Sequence, residues 1–389
     1  MNPAVDGEIR HDFVIVGAGI GGLAAALALH RKGFKDVVVY ERSESLRSEG
    51  TGIMIYANGW RALDQLGVGP QLRDKAFLLQ GPGEARCLVR RDLINALADS
   101  LPPNTIQFGC NLVDVKMDTQ SMSPILRFDD DKVVRAKVLI GCEGLNSRVS
   151  DYIGLQPPSS FAVGVIRGMT NYPDGSVSPW YTRRRNQREG TVVGGVPINN
   201  KLAKFPADGK KFPNDPQPLK QAILKIIEGY PADSIEMVEK GELDTISLSR
   251  VRYRHPWEIL TGKFRRGSVT VIGDAMHVMG PFMGQGGSAA LEDAVILARN
   301  LGNKISPLDD QIEDGKQIMR RETIEEAIDG YIKERRMRIV RISTQNYLIG
   351  LTLDPTTSTV AKFIAIIMMI TLFGDGSEYS RFDCGKLRG

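Results

Sequence analysis

The glycine-rich segment near the N-terminus constrains the fold more than any other feature of the chain. Residues 17–22 read GAGIGG, which satisfies G-x-G-x-x-G, and they follow the apolar run DFVIV. An Ala/Leu-rich helical pattern comes next, and a second apolar run, DVVVY, ends just before Glu41. This order of strand, glycine turn, helix, strand and acid predicts a βαβ unit that binds a dinucleotide.

Each part of this unit has a physical reason. Gly17 allows the tight turn, Gly19 lets the backbone approach a pyrophosphate, and Gly22 allows the helix to pack closely on the strand. The helix N-terminus then offers unpaired N–H groups and a favourable dipole to the phosphates. Glu41 lies 19 positions after Gly22. A carboxylate at that distance can accept hydrogen bonds from a ribose.

A second glycine-rich segment, residues 272–294, reads IGDAMHVMGPFMGQGGSAALEDA. Asp274 follows the apolar run SVTVI, and the glycine cluster at 284–287 opens another helical pattern. This is a second helix start that can bind an anion, with a carboxylate placed to hold polyol hydroxyls. A nicotinamide dinucleotide has no ribityl chain that requires such a carboxylate, so the two segments together favour FAD.

The second segment resembles the G-D-A-x-H…P…G-Q-G motif of the class A flavoprotein monooxygenases, the group of p-hydroxybenzoate hydroxylase, salicylate hydroxylase and zeaxanthin epoxidase. Four further stretches match the same family: Gly52-Ile53 with Asn58-Gly59 and Leu66-Gly67, Arg90-Arg91-Asp92-Leu93, VLIGCEGLNSRV at 138–149, and Tyr331 with Glu334-Arg335-Arg336. In the third of these stretches Glu143 replaces the usual Asp. The resemblance runs from about residue 10 to 345 and is closest to the plant salicylate-hydroxylase-like, monooxygenase 1 branch.

The resemblance implies an α/β fold with a Rossmann-like FAD-binding domain, a mixed β-sheet substrate domain and C-terminal helices. We expect a discontinuous FAD-binding domain formed by residues 10–155 and 265–325. Residues 156–264 would form the β-rich substrate domain, and residues 326–389 the C-terminal helical segment. No second G-x-G-x-x-G exists in the chain, so NAD(P)H is expected to dock transiently, without a binding domain of its own.

The family's cofactor positions carry over residue by residue. The resulting cofactor-binding candidates are Gly17, Gly19, Ile20, Gly21, Gly22, Glu41, Arg42, Gly52, Ile53, Arg90, Asp274, Pro281, Gly284, Gly286, Gly287 and Ser288. Arg90 is expected at the FAD phosphate or ribityl region, and Pro281 near the flavin carbon that reacts with oxygen. Candidates for substrate contact are Arg167, Tyr181 and His255, and no side chain is assigned a catalytic role.

The resemblance also implies a reaction. An FAD-dependent monooxygenase takes hydride from NAD(P)H, forms a C4a-hydroperoxide with O₂ and transfers one oxygen atom to a small organic substrate, here aromatic or isoprenoid-like. Hydroxylation, epoxidation and Baeyer–Villiger insertion all fit this sequence. A flavin oxidase or reductase, or a non-catalytic FAD-fold partner protein, is the alternative.

Composition limits the range of partners. The 50 basic and 46 acidic side chains leave a formal net charge of +4. The basic clusters at 183–185 and 335–338 lack interleaved aromatics, so we interpret both as solvated faces and expect no nucleic-acid partner. Four scattered cysteines and four histidines give no metal-ligand spacing. We expect a monomer or weak dimer in the cytoplasm, or in a plastid if a transit peptide has been removed.

Two smaller features complete the predictions. The apolar run FIAIIMMITLF at 363–373 is too short to span a bilayer, which takes about 20 residues. We expect it to form a buried C-terminal helix, with a helix docked on a membrane surface or on a partner as the alternative. His277, inside the second glycine-rich segment, is expected to make a structural hydrogen bond.

Overall fold

The computed structural model describes residues 8–46, 52–79, 83–172, 215–305, 319–374 and 378–387, and the backbone alone of four short strands between these ranges. The strands are β1 (Ile9–Val16), β2 (Val37–Tyr40), β3 (Gly52–Tyr56), β4 (Phe77–Leu78), β5 (Ala85–Val89), β6 (Ile106–Gln107), β7 (Leu112–Met117), β8 (Pro124–Phe128), β9 (Val133–Gly141), β10 (Ser159–Arg167), β11 (Thr182–Arg185), β12 (Val192–Gly195), β13 (Ser247–Tyr253), β14 (Arg265–Arg266), β15 (Val269–Val271), β16 (Ile312–Glu313) and β17 (Lys316–Gln317).

The α-helices are α1 (Ile20–Arg31), α2 (Ala57–Gln65), α3 (Gly69–Arg73), α4 (Arg90–Asp99), α5 (Arg148–Ile153), α6 (Pro216–Ile226), α7 (Ala232–Glu239), α8 (Pro256–Thr261), α9 (Asp274–His277), α10 (Gly286–Lys304), α11 (Arg321–Leu353) and α12 (Thr359–Leu372). Short 3₁₀ turns lie at Gly144–Asn146, Leu243–Thr245, Pro281–Met283 and Glu378–Ser380.

A mixed sheet carries the predicted cofactor segments. Five strands run parallel in the order β6-β2-β1-β9-β15, and β14, β8 and β7 add antiparallel pairs at one side. The central strand β1 is fully buried at Phe13–Val16, as expected for a parallel strand covered on both faces. The chain leaves β1 toward β2 on one side and returns as β9 on the other, so the carboxyl ends of β1 and β9 form the switch point where such sheets bind ligands.

Two helices cover the sheet beside this switch point. Helix α1 is buried from Gly22 to Leu29, because its Ala/Leu-rich surface packs against both the sheet and α10. Helix α10 is likewise buried over most of its 19 residues. Helix α11 has 33 residues, which makes it about 50 Å long, and it packs along α10.

The strands of the predicted substrate region form separate, smaller sheets. β10 pairs antiparallel with β13, and β11 pairs antiparallel with β12. A further three-stranded antiparallel sheet, β3-β5-β4, lies within the predicted FAD-binding domain, where the sequence analysis indicated no strands. The predicted fold class is confirmed: a Rossmann-like unit, a mixed sheet and a helical C-terminus. The domain boundaries given above stay a prediction.

The predicted burial of the C-terminal apolar run is wrong. The run lies in α12, where only Ala365 is buried, and Val360, Phe363 and Ile370 are each more than 60% exposed. Helix α12 packs against α11 on one face. Because the helix is apolar around most of its circumference, this contact leaves most of its apolar side chains exposed. Among the described residues, no helix is long and apolar enough to cross a bilayer.

Candidate cofactor site

The turn after β1 requires glycine at two of its positions and is open at a third. Gly17 has φ +102°, and a Cβ on it would lie 2.6 Å from the backbone oxygen of Cys142, at the end of β9. A Cβ on Gly22 would lie 1.9 Å from the Gly17 oxygen, so α1 starts in direct contact with the turn. A Cβ on Gly19 would meet nothing within 4 Å. The open space beside Gly19 is where a pyrophosphate can approach the backbone.

Glu41, the residue after β2, holds this turn in place through a hydrogen bond to its backbone. Its buried carboxylate accepts hydrogen bonds from the backbone N–H of Ala18, at 2.7 Å, and of Ser43, at 3.0 Å. A carboxylate at the end of the second strand of such a unit is placed to accept a hydrogen bond from a ribose hydroxyl. Arg42 beside it is exposed at the rim.

The second glycine-rich segment starts where β15 ends, next to β9. Gly273 leads into α9, and the 3₁₀ turn at Pro281–Met283 leads through Gly284, which has φ +64°, to the start of α10. Pro281 is exposed. A Cβ on Gly21 would lie 3.6 Å from the Cβ of Ala290, so α1 and α10 begin side by side. The positive ends of two helix dipoles therefore converge on one cleft.

Asp274 lines this cleft. Surrounding protein desolvates its carboxyl group and raises its pKa, while the nearby charges of His277 and Arg90 oppose that rise. The side chain is nonetheless exposed, and within the described part of the chain it has no hydrogen-bond partner. A group that is both exposed and closely surrounded by protein lines a concave surface. A Cβ on Gly286, at the start of α10, would lie 3.9 Å from Asp274 Oδ1.

Strand β3 completes the cleft. Its pairing with β5 sets Gly52 opposite Val89, the residue before Arg90. A Cβ on Gly287 would lie 2.9 Å from Ile53 Cδ1 and 3.8 Å from Ile20 Cδ1, so these three predicted residues meet. Ser288, the next residue of α10, packs against the Asn58-Gly59 stretch, where a Cβ on Gly59 would lie 2.6 Å from Ser288 Oγ. The structure thus brings together candidates that are widely separated in the sequence.

A buried polar network behind the cleft holds α10 and α11 together. Arg335 donates to Asp293 Oδ1 at 2.7 Å and to Glu292 Oε2 at 2.6 Å, and all three side chains are fully buried. His277 Nε2 lies 2.6 Å from Asp293 Oδ2, which confirms the structural hydrogen bond predicted for this histidine. Asn58 Nδ2 reaches Glu292 Oε1 at 2.5 Å.

The charges of this network stabilise one another. Burial acts to raise the pKa of Asp293, but His277 and Arg335 more than offset it and lower the pKa to about 2. Burial also opposes the charge on Arg335, and Glu292 and Asp293 reverse that effect, so the pKa of Arg335 is raised. The interpretation of residues 335–338 as a solvated face is therefore wrong for Arg335, and also for Arg338, whose side chain is only 10% exposed and donates to Glu292 Oε1 at 3.1 Å. The side chains of the other basic cluster, 183–185, lie outside the described residues.

The sequence interpretation missed the partners of Arg335. The acid pair Glu292-Asp293 begins five residues after Gly287, the last residue of the glycine cluster. The match at Tyr331, Glu334 and Arg335 was the one signal that pointed to a fixed role for this arginine. Tyr331 is buried in the same region, with its hydroxyl 3.4 Å from the backbone oxygen of Val271.

Glu143, the acid that replaces the family's usual Asp, supports the loop after β9. Its carboxylate accepts hydrogen bonds from Ser147 Oγ at 2.7 Å and from the N–H of Val149 at 3.1 Å. The longer side chain still closes this loop against the start of α5.

Two of the three predicted substrate residues, Arg167 and His255, lie on or beside the β10–β13 pair. Arg167 ends β10 and donates to Ser249 Oγ at 2.8 Å. His255 begins α8, contacts Ser159 Oγ through Nε2 at 3.1 Å and stacks on Trp257. Tyr181 lies outside the described residues.

The residues at this cleft fit FAD. The open backbone at Gly19 and the two helix N-termini suit a pyrophosphate, and the unpartnered Asp274 carboxylate suits ribityl hydroxyls. Arg90, close enough to affect the pKa of Asp274, adds a positive charge. Fold and site together define a flavin-binding Rossmann-like enzyme.

Comparison with known proteins agrees with this class. Residues 87–329 match the family described as FAD binding domain, and residues 15–74 match that described as NAD(P)-binding Rossmann-like domain. The chain is 44% identical over 398 residues to Monooxygenase 1 of Arabidopsis thaliana, covering 96% of this chain and 98% of that protein. It is 27% identical over 337 residues to 3-hydroxybenzoate 6-hydroxylase 1 of Aquipseudomonas alcaligenes, covering 77% and 83%.

A solved structure shows the same fold. Klebsiella pneumoniae HpxO complexed with FAD and uric acid superposes with a TM-score of 0.75 at 19% identity, over 97% of this chain and 96% of that one. The chain belongs to the FAD-dependent monooxygenases of the FAD binding domain family.

Replacing Asp274 by alanine should weaken FAD binding while leaving the fold intact. A carboxylate that accepts hydrogen bonds from ribityl hydroxyls contributes about 1.5–3 kcal/mol, which corresponds to roughly 10- to 100-fold in affinity. FAD fluorescence titration measures the affinity, and circular dichroism checks folding. Asp99→Ala, an exposed acid at the end of α4, is the control. A folded Asp274→Ala protein that binds FAD as tightly as the parent would show that Asp274 does not hold the cofactor.

Replacing Arg335 by methionine should destabilise the protein, because Glu292 and Asp293 would lose the buried guanidinium that lies between them and keep only Arg338 and His277 as positive partners. Breaking such a pair costs about 3–5 kcal/mol in the free energy of unfolding, measured by chemical denaturation. Lys333→Met, an exposed position two residues earlier on α11, should change that free energy by no more than about 0.5 kcal/mol. Equal stability of the Arg335→Met and Lys333→Met proteins would contradict the structural importance of the network.

Proposed function

We propose that this protein is an NAD(P)H-consuming monooxygenase that inserts one oxygen atom from O₂ into a small aromatic substrate bearing an anionic group. FAD, when bound, accepts hydride from NAD(P)H and activates O₂. The observation that carries the proposal is the cleft itself, where the open Gly19 turn, the start of α10 and Asp274 face one space. The chain's own residues bind the cofactor, exclude water and orient the substrate.

An apolar aromatic cluster joins the cofactor segment to the β10–β13 pair. Phe282, in the turn that begins at Pro281, lies 6.0 Å from Phe161 between ring centroids, and Phe161 stacks on Tyr253 at 4.1 Å. Tyr347 of α11 lies 5.9 Å from Phe161. Such a wall excludes water from the reacting region. Exclusion of water limits side reactions that would release activated oxygen as H₂O₂ without product. The wall also offers flat apolar faces to an aromatic ring.

Arg167 supports an anionic substrate. Alternation along β10 puts Arg167 on the same face as Val165, which packs in the cluster with Phe161 and Phe282. Ile166 between them faces the opposite side, where α6 and α7 pack. The guanidinium therefore points toward the side of the sheet that holds the cofactor segment.

Among the described residues, Arg167 also has no carboxylate as a counter-ion. Desolvation by burial lowers its pKa, and among the described residues its one hydrogen-bond partner is the neutral Ser249. A largely desolvated cation without a carboxylate is costly unless a ligand supplies the anion. A substrate carboxylate could accept two parallel hydrogen bonds from the guanidinium. The name of the hydroxybenzoate hydroxylase relative agrees with an aromatic acid.

The test is NAD(P)H oxidation by the FAD-loaded protein with hydroxylated benzoates and with the corresponding phenols. We expect oxidation to accelerate only with a substrate, and the product to gain one oxygen atom. Arg167→Gln should raise the KM for the acid roughly 10- to 100-fold, the equivalent of about 1.5–3 kcal/mol for a charged hydrogen bond. The KM for the matching phenol and the FAD content should change little.

Arg250→Gln, an exposed arginine on β13, is the matched control and should behave as the parent. Substrate-independent NAD(P)H oxidation that yields only H₂O₂ would instead identify an oxidase or reductase. Acceleration by the acid that is equal in the parent and in Arg167→Gln would separate the two claims: the monooxygenase would stand, and the role of Arg167 would fall.

A further inference from the structure

Helix α12 exposes a surface that the chain itself does not cover. Eight of its large apolar side chains are exposed, namely Val360, Phe363, Ile364, Ile366, Ile367, Met368, Ile370 and Leu372. The one charged residue among its 14 positions is Lys362. The contact with α11 covers Ala365 and little else. Large contiguous apolar patches on a soluble protein mark interaction sites.

The distribution of these side chains around the helix indicates what covers them. At 100° per residue, the exposed positions span an arc of about 240°. A partner helix, or a shallow protein groove, contacts a narrower stripe and would leave the flanks of this arc in water. An arc of this width is covered completely only when the helix is embedded in an apolar phase, such as the outer part of a lipid bilayer.

A second copy of this chain is a poor match for the same surface. A helix of 14 residues is about 21 Å long and roughly 10 Å wide. Contact between two such helices has a footprint of roughly 200 Å² on each, far below the about 800 Å² per partner of a stable interface. The surface therefore fits a lipid bilayer better than it fits a dimer.

The position of Lys362 agrees with a lipid surface. On the helix it lies closer to the buried Ala365 than to the middle of the exposed arc. This places it about 160° from the middle of the exposed arc, at 100° per residue. When the arc is embedded in lipid, the charge lies at the level of the headgroups, where a lysine side chain is stable.

A second group of exposed apolar side chains lies beside the same part of α11. Phe373 packs on Arg341, so α12 runs back along the C-terminal part of α11. Tyr347 in this part contacts Trp257 of α8, at 5.8 Å between ring centroids. Trp257 is 53% exposed, and Leu260 on the same helix is 46% exposed. Tryptophan is enriched where proteins meet the membrane–water interface.

We propose that α12 docks this protein on a lipid surface, with its apolar arc inserted among headgroups and upper acyl chains. The helix lies in the plane of the membrane, because about 21 Å is too short for a hydrocarbon core of about 30 Å. The docking is independent of the proposed reaction, since none of its residues belongs to the cofactor cleft.

The test is flotation of the full-length, FAD-loaded protein with vesicles of phosphatidylcholine and phosphatidylserine, followed by flavin absorbance. We expect the parent to float with the vesicles at both low and high salt, because apolar insertion resists screening. Ile367→Glu/Ile370→Glu should reduce the vesicle-bound fraction at least about tenfold, since charges on the inserted face oppose burial in lipid. Its flavin absorbance should match that of the parent, which shows that the variant folds.

Val113→Glu/Leu243→Glu is the matched control, because it adds the same two charges at exposed apolar positions on β7 and in the 3₁₀ turn at Leu243–Thr245. It should float like the parent. A parent that stays in the lower fraction, or that loses the vesicles at high salt, would overturn the proposal. Equal flotation of the two double variants would overturn it as well. A dimer of the parent that Ile367→Glu/Ile370→Glu dissociates, without vesicle binding, would assign the surface to a second copy.

Discussion

The guanidinium of Arg335 lies between the carboxylates of Glu292 and Asp293, and all three groups are buried. Charges of this kind are stable in a protein interior only while every partner is in place. The network therefore fixes α10 against α11, and through His277 it fixes the segment that carries Asp274. The start of α10 and the Asp274 carboxylate both face the cleft, and their positions depend on these buried contacts. Arg335 itself does not line the cleft.

The cleft is built from elements that are far apart in the chain. The first glycine turn belongs to β1 and α1, the second to β15 and α10, and Ile53 arrives on a separate antiparallel sheet. Because α1 and α10 begin side by side, two helix dipoles act on one site. The β10–β13 pair meets the same segment through Phe282 and Phe161, so the cofactor cleft and the proposed substrate region share one apolar wall. Arg167 adds a positive charge on that side of the sheet.

The sequence predicted the parts of this arrangement whose signals are local. Glycine spacing, flanking apolar runs and the acid at Glu41 all belong to one short βαβ unit. The structure shows why glycine is required at Gly17 and Gly22, where a Cβ would clash with backbone oxygen atoms. Contacts over long sequence separations left no such pattern. Arg335 bonds to residues 42 and 43 positions away, and Asn58 bonds to Glu292 across 234 positions. A run of arginines predicts an exposed surface, because the sequence does not show which buried acids the arginines pair with.

The same limit explains α12. An apolar run indicates that water is unfavourable, but it does not say whether protein or lipid replaces the water. The three-stranded β3-β5-β4 sheet was missed for a related reason, since β4 has two residues and β3 and β5 five each, too few for a periodic signal among glycines and prolines.

The FAD content of the purified protein tests the central claim most directly. Acid release of the flavin, followed by its absorbance relative to protein concentration, gives the number of FAD molecules per chain. The cleft, with the open turn at Gly19 and the Asp274 carboxylate, predicts one FAD per chain, present after purification or restored by adding FAD. A folded, colourless protein that does not take up FAD would contradict the account.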